Sequence, residues 1–184
     1  EAPVLFMCRF ATPAFIFVFG VTVGFVYFEK FCAGGEAAIW HSLKRRAVLL
    51  ALCVIIIRTE SLYWLAVDRQ TDPRVWLLTT YSILTYYLFA VLCVPLWLRA
   101  IRARPIAMAA LLGMLHWFAG GLLAFYLWRG SANGDALTYT EVFRCFLVSG
   151  SYAYLPLSGT ALLAIPLGIV LRKVSRKTTV APVL

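Results

Sequence analysis

The chain has 184 residues, of which 62% are hydrophobic and 14% charged, with a formal net charge of +9 and a mean hydropathy of +0.86. Soluble domains are about 45–50% apolar and about 25% charged, and a domain of this size has too little interior to bury the excess. These numbers exclude a disordered chain, a collagen, a disulfide scaffold and a free nucleic-acid-binding domain, and they predict an integral membrane protein.

Five apolar stretches are long enough to cross the hydrocarbon core of a bilayer, which takes about 20 residues. A backbone in lipid must satisfy its own hydrogen bonds, and the stretches lack the alternation of barrel strands, so each is predicted to be a helix. The fold class is therefore all-α, with a single transmembrane domain over residues 1–171 and a basic cytoplasmic tail over residues 172–184. In chain order the predicted spans are Phe10–Phe28, Ala47–Val67, Val75–Leu98, Pro105–Trp128 and Phe143–Leu171.

Two of these stretches carry small or helix-breaking residues. Gly20 and Gly24 form a GxxxG pair in the first stretch, which predicts a close helix–helix contact. The last stretch is about 29 residues long and is interrupted by glycines and prolines. Tilt or a kink accounts for that length, and a broken helix that lines a cavity is the alternative.

The lysines and arginines are distributed unevenly between the two ends of the predicted spans. Eleven lie on one side and five on the other, and Arg58 lies within a span. The positive-inside rule places the larger group in the cytoplasm, so the N-terminus is outside and the C-terminus inside a plasma (inner) membrane. We expect the basic face to contact anionic lipid headgroups. An N-terminus outside without a signal sequence leads us to expect that an earlier helix precedes this chain.

Three residues within the spans are candidates for chemistry. Arg58 and Glu60 lie near the middle of the second stretch, where each ionisable group costs about 2.5–3.5 kcal/mol on insertion scales and so faces protein or water. A polar cavity, a structural interhelical ion pair and a span that leaves the membrane before these residues are all consistent with them. His116, in the fourth stretch, is a weaker candidate for a base, since membrane histidines also form structural hydrogen bonds between helices.

A run of three cations, Lys44, Arg45 and Arg46, opens the second span from the cytoplasmic side. Such a run holds phosphates of lipid headgroups or of a coenzyme donor, or simply anchors the topology. The sequence lacks metal-ligand spacing, a nucleotide-binding glycine loop and basic residues interleaved with aromatics, so we expect no metal site and no nucleic-acid partner.

The segment from Arg9 to Gly20, RFATPAFIFVFG, followed by LKRRAVLL over residues 43–50, resembles the multi-pass membrane acyltransferases. That group includes the acyltransferase-3, OpgC and heparan-glucosaminide N-acetyltransferase types. In it, a helix with an R…P-x-F-x-F-x-x-G pattern precedes a basic pair that begins the next helix. The resemblance covers residues 9–50, about a quarter of the chain.

The resemblance implies transfer of an acyl group from acyl-CoA at the cytoplasmic side to a glycan or lipid acceptor. Arg45 and Arg46 would match the cytoplasmic arginines of the family, and Arg9 the arginine before the P-x-F segment. The family's catalytic histidine lies ahead of that segment, in a region that this sequence does not contain. The chain would then be a fragment of an acyltransferase or a shortened relative, and enzymatic only with that histidine.

A non-catalytic role is the alternative. Five apolar helices with short loops also suit an accessory subunit of a larger, energy-transducing membrane complex, which packs against partner membrane subunits through its helices and binds lipid or pigment. Half of a transporter is a third and weaker interpretation.

Overall fold

The computed structural model describes the backbone of residues 2–67, 72–74, 77, 81–128, 138–149 and 152–179, and the side chains of most of these from residue 11 onward. Every regular element in these ranges is helical, as the composition predicts. The elements are α1 (Ala2–Thr22), a π-helical segment (Val23–Tyr27), α2 (Phe28–Cys32), α3 (Glu36–Val67), α4 (Ile83–Ile101), α5 (Pro105–Trp128), α6 (Tyr139–Arg144), a second π-helical segment (Cys145–Ser149) and α7 (Tyr154–Thr179).

Four segments of the described chain are long and apolar enough to cross a membrane. This agrees with a multi-pass membrane protein. The predicted second span, Ala47–Val67, lies within the 32-residue helix α3, but several of its side chains lie outside the described residues, so the fifth span and the orientation stay predictions. The four segments are Ala11–Cys32, Ile83–Ile101, Pro105–Tyr126 and Tyr154–Arg176.

The predicted boundaries of the middle helices are partly right. The fourth stretch coincides with α5, which begins at Pro105 because a proline at the first helical position has no N–H to satisfy. The third stretch was predicted to begin at Val75, which lies outside the described residues; residues 81 and 82 are not helical, and α4 begins at Ile83. Ser82 precedes the helix, and its carbonyl oxygen accepts the Tyr86 N–H at 3.0 Å, as an N-cap residue does.

The stretch Phe143–Leu171 is not one tilted or kinked helix but is broken, as the alternative interpretation allows. The second π-helical segment ends at Ser149, and α7 begins at Tyr154. Pro156 lies in the first turn of α7, where a proline is tolerated, whereas inside a helix that continued through this point it would remove a hydrogen bond. At its other end α7 continues to Thr179, so residues 172–179 of the predicted tail are helical.

The chain divides into two compact units, each built from separate segments. Unit 1 comprises Glu1–Ser42, Cys93–His116 and Leu157–Leu184, and unit 2 comprises Leu43–Leu92 and Trp117–Pro156. Large side chains in both units are almost completely buried, among them Ile16, Leu98 and Ile165 in unit 1 and Tyr86 in unit 2.

Within unit 1, the first spanning segment packs against α7 through glycines. A Cβ atom added to Gly20 or Gly24 would overlap the carbonyl oxygen of Ala161 or Ile165 respectively, and one added to Gly168 would overlap that of Val21. The close contact predicted from the GxxxG pair is therefore confirmed. The π-helical segment Val23–Tyr27 contains Gly24, so the helix widens where the backbones meet.

Candidate functional site: charged residues at the helix ends

A cluster of charged residues joins α2 to the end of α7 in unit 1. The Glu29 carboxylate oxygen Oε2 accepts a hydrogen bond from Arg172 Nε at 3.3 Å and forms an ion pair with Arg176 Nη2 at 3.0 Å. The Arg172 guanidinium also lies over the ring of Phe25, 5.3 Å from its centroid. The two arginines are four residues apart on one face of α7, which is why a single carboxylate reaches both.

A second ion pair lies at the same end of unit 1, between Arg99 near the end of α4 and Glu36 at the start of α3. The short turn between the two acidic residues links the pairs, because the Gly35 N–H donates to the Lys30 carbonyl oxygen at 2.9 Å. Gly34 in this turn has φ +87°, a conformation that suits glycine because it carries no Cβ. Glu29 and Glu36 therefore belong to one continuous charged surface.

Further cations on this surface are exposed and, among the described residues, form no ion pair. They are Lys30 beside Glu29, Lys173 beside Arg172, and Arg102 and Arg104 in the connection between α4 and α5. The surface thus has a strong excess of positive charge. Its two carboxylates, those of Glu29 and Glu36, already bind arginines. The sequence alone places all these residues at one end of the predicted spans but does not reveal the role of Glu29. Its being one of only two acidic residues at that end was the available signal.

The predicted coenzyme-binding run lies on α3. Lys44, Arg45 and Arg46 are all exposed, whereas the flanking residues Leu43 and Ala47 are 1% and 5% exposed. Residues 43 and 47 lie one turn apart on one buried face, so the three cations between them project away from it. This places three positive charges on one exposed turn of the helix.

Of the two charged candidates in the second predicted span, only Arg58 has a described side chain. Arg58 is half-buried on α3, next to exposed Ile56 and Ile57. The side chain of Glu60 lies outside the described residues, as does that of Arg9, so neither has a described partner or environment. Arg58 therefore lies in an apolar stretch, and no polar partner for it occurs among the described side chains.

His116 bonds within its own helix. Its Nδ1 lies 2.8 Å from the carbonyl oxygen of Leu112, one turn earlier in α5. A carbonyl can only accept, so Nδ1 carries the proton, and in a neutral ring Nε2 keeps its lone pair. The other histidine, His41, is exposed on α3. No group of three or more metal-binding side chains occurs in the part of the chain that the structure describes.

An aromatic cluster in unit 2 surrounds Phe146, which lies in the second π-helical segment. Its ring centroid is 4.4 Å from that of Tyr81, 5.3 Å from that of Phe89 and 6.5 Å from that of Tyr154. Burial raises the pKa of the Tyr81 phenol above its usual value, so the hydroxyl stays protonated. This cluster was not predicted from the sequence, since its members are far apart in the chain.

Comparison with known proteins provides no relative for this chain. No family model matches the sequence, and neither a curated protein nor a solved structure matches it.

Proposed function

We propose that this chain belongs to a multi-pass membrane acyltransferase of the inner membrane, which transfers an acyl group from a coenzyme-linked donor to a glycan or lipid acceptor. The observation that supports this best is the exposed turn of α3 with Lys44, Arg45 and Arg46. It follows the P-x-F helix in the order that the resembled family shows. Acyl-CoA carries several phosphate charges, and cations adjacent on one turn would bind them through charge-assisted hydrogen bonds.

In this proposal the acceptor hydroxyl or amine attacks the thioester carbonyl of acyl-CoA. A C–O or C–N bond forms, the C–S bond breaks, the acceptor proton passes to a base and the coenzyme leaves as its thiolate. The resemblance assigns the base to a histidine ahead of residue 9. Within this chain His116 is the candidate with a free ring nitrogen, and Arg58 and Glu60 are candidates for binding the polar acceptor.

The first experiment measures binding of acyl-CoA to the purified chain in lipid nanodiscs by equilibrium dialysis. We expect the double variant Arg45→Ala/Arg46→Ala to bind at least tenfold more weakly, since two charge-assisted contacts are lost. The matched control is Arg102→Ala/Arg104→Ala, which removes the same charge from other exposed positions. Equal weakening by both pairs, or no binding to the parent chain, would overturn the assignment of the coenzyme site.

A second candidate is a non-catalytic subunit of a larger membrane complex. It is favoured by the apolar surface of α3, where Leu49, Leu52, Ile55, Ile56 and Ile57 are each about half exposed or more. In a membrane these side chains contact either lipid or partner helices. Recovery from native membranes only within a larger complex, together with no consumption of acyl-CoA, would support this candidate over the enzyme.

A further inference from the structure

The charged cluster around Glu29 lies where two of the apolar segments end. The first spanning segment ends at Cys32 and the last at Arg176, and Glu29, Arg172 and Arg176 lie within the final turns of these two segments. Their contacts hold both ends at the same level. Because the apolar spans end there, the side chains at this level meet the polar headgroup region of the bilayer.

The cluster carries more positive charge than its carboxylate can neutralise. Arg172 and Arg176 contact the single carboxylate of Glu29, and Lys30 and Lys173 follow Glu29 and Arg172 directly in the chain. The contact of Arg176 with Glu29 is through Nη2, and its side chain is 64% exposed, so its other donors stay accessible. Lys30 and Lys173 are exposed and have no ion-pair partner among the described side chains.

We propose that this cluster binds the phosphate of an anionic phospholipid headgroup, with Arg176, Lys30 and Lys173 as the groups that contact it. Glu29 acts as a positioning residue. Its carboxylate fixes both arginines, and the Phe25 ring beneath Arg172 fixes that side chain further. A guanidinium held in place loses less side-chain entropy when it binds phosphate than a mobile one does.

A phospholipid fits the cluster better than a soluble phosphate does, because of its position. The acyl chains of a bound lipid would lie along the apolar parts of the same helices, where Val26 of the first segment and Val170 of α7 are exposed. One molecule would thus contact both the cations and the apolar side chains next to them. This proposal is independent of the coenzyme site on α3, which lies in unit 2.

The test uses the full chain in detergent, titrated with phosphatidylglycerol or phosphatidylcholine and followed by native mass spectrometry. We expect phosphatidylglycerol to bind preferentially and Lys30→Gln/Lys173→Gln to weaken it about tenfold or more. The matched control is Arg102→Gln/Arg104→Gln, which removes equal charge from exposed positions in the same unit. An equal loss in the control pair would overturn the proposal, because it would indicate diffuse attraction to a basic surface.

The variant Glu29→Gln gives a test that depends on the sign of the effect. Removal of the carboxylate frees the two arginines that it positions, so we expect several-fold weaker binding of phosphatidylglycerol and a lower Tm without lipid. Diffuse attraction to a basic surface would instead give tighter binding, because the variant has one negative charge fewer. A lower Tm with unchanged lipid affinity would leave Glu29 a purely structural role and overturn the proposal. Inorganic phosphate that displaces the lipid at similar concentrations would show a free-phosphate site and also overturn it. Loss of acyl-CoA binding in the Arg45/Arg46 variant alters none of these readouts.

Discussion

Gly24 packs directly against the backbone of Ile165, at a distance that no larger residue allows. Gly168, one turn from Ile165 on α7, packs in the same way against Val21. The two helices thus approach each other through glycines from both sides. Such contacts stabilise helices in lipid because van der Waals packing replaces the hydrophobic force that operates in water.

We predict that Gly168→Ala destabilises the protein. The added methyl group would overlap the Val21 carbonyl oxygen and lie 2.8 Å from the Phe25 nitrogen, both of which are backbone atoms that cannot turn aside. Overpacking of this kind costs about 1–3 kcal/mol. The measurement is the Tm in detergent by circular dichroism. The control is Gly121→Ala, whose Cβ meets nothing within 4 Å, so its Tm should be unchanged or slightly raised.

We predict that Glu29→Gln lowers the free energy of unfolding by about 1 kcal/mol in low salt, since one change disrupts two ion pairs. The loss should shrink in high salt because added ions screen the partly exposed charges. Chemical unfolding at two salt concentrations provides the measurement. The comparison variant is Glu36→Gln, which breaks one pair with an arginine that is 67% exposed and should cost less. Equal costs for the two would contradict the importance of the Glu29 cluster.

We predict that Phe146→Ala costs about 2 kcal/mol, because its ring contacts three other aromatic rings within unit 2. Phe143 is three residues earlier and 62% exposed, so Phe143→Ala removes the same atoms with little loss of packing. The measurement is the Tm of both variants in the same detergent, and we expect a clearly lower Tm for Phe146→Ala than for Phe143→Ala. If Phe143→Ala were as costly as Phe146→Ala, the aromatic cluster would have no special role in stability.

We predict that residues 47–67 cross the membrane. Single cysteines introduced at Ala33, Gln70 and Ala103 in a chain without its native cysteines would report this through labelling by a membrane-impermeant maleimide. We expect positions 33 and 103 to be labelled from the cytoplasmic side and position 70 from the opposite side. Labelling of positions 33 and 70 from the same side would show that α3 does not span.

The hydropathy of the sequence predicts the helices well but their ends less well. The fourth span was predicted at its observed bounds, because Pro105 sets its start and a polar stretch follows it. The predicted start of the third span lies outside the described residues, and the break before α7 was expected only as the alternative of a broken helix. The sequence is briefly polar before each of these helices, with TTYS over residues 79–82 and SGSY over residues 149–152, but each interruption is too short to end an apolar stretch defined over a window of about 19 residues. Capping by Ser82 and the position of Pro156 mark the boundaries instead.

The candidate functional residues could be predicted from the sequence one by one, but their contacts could not. Single residues such as Arg58 and His116 stood out because charge and imidazole are rare in apolar stretches. Their surroundings could not be predicted, and His116 in fact bonds to its own helix. The Glu29 cluster was not predicted, because its members are more than 140 residues apart.

Composition and the length of the apolar runs are enough to predict a helical, membrane-embedded chain, because runs of about 20 apolar residues suit the bilayer interior and a backbone there must satisfy its own hydrogen bonds. The sequence also predicts the glycine contact, since small residues one turn apart are favourable where another helix approaches. Only the packing of the helices shows which helix approaches and which cations bind which carboxylate. These pairings depend on how distant helices pack, and in lipid every apolar face is equally well solvated until a specific partner fits it.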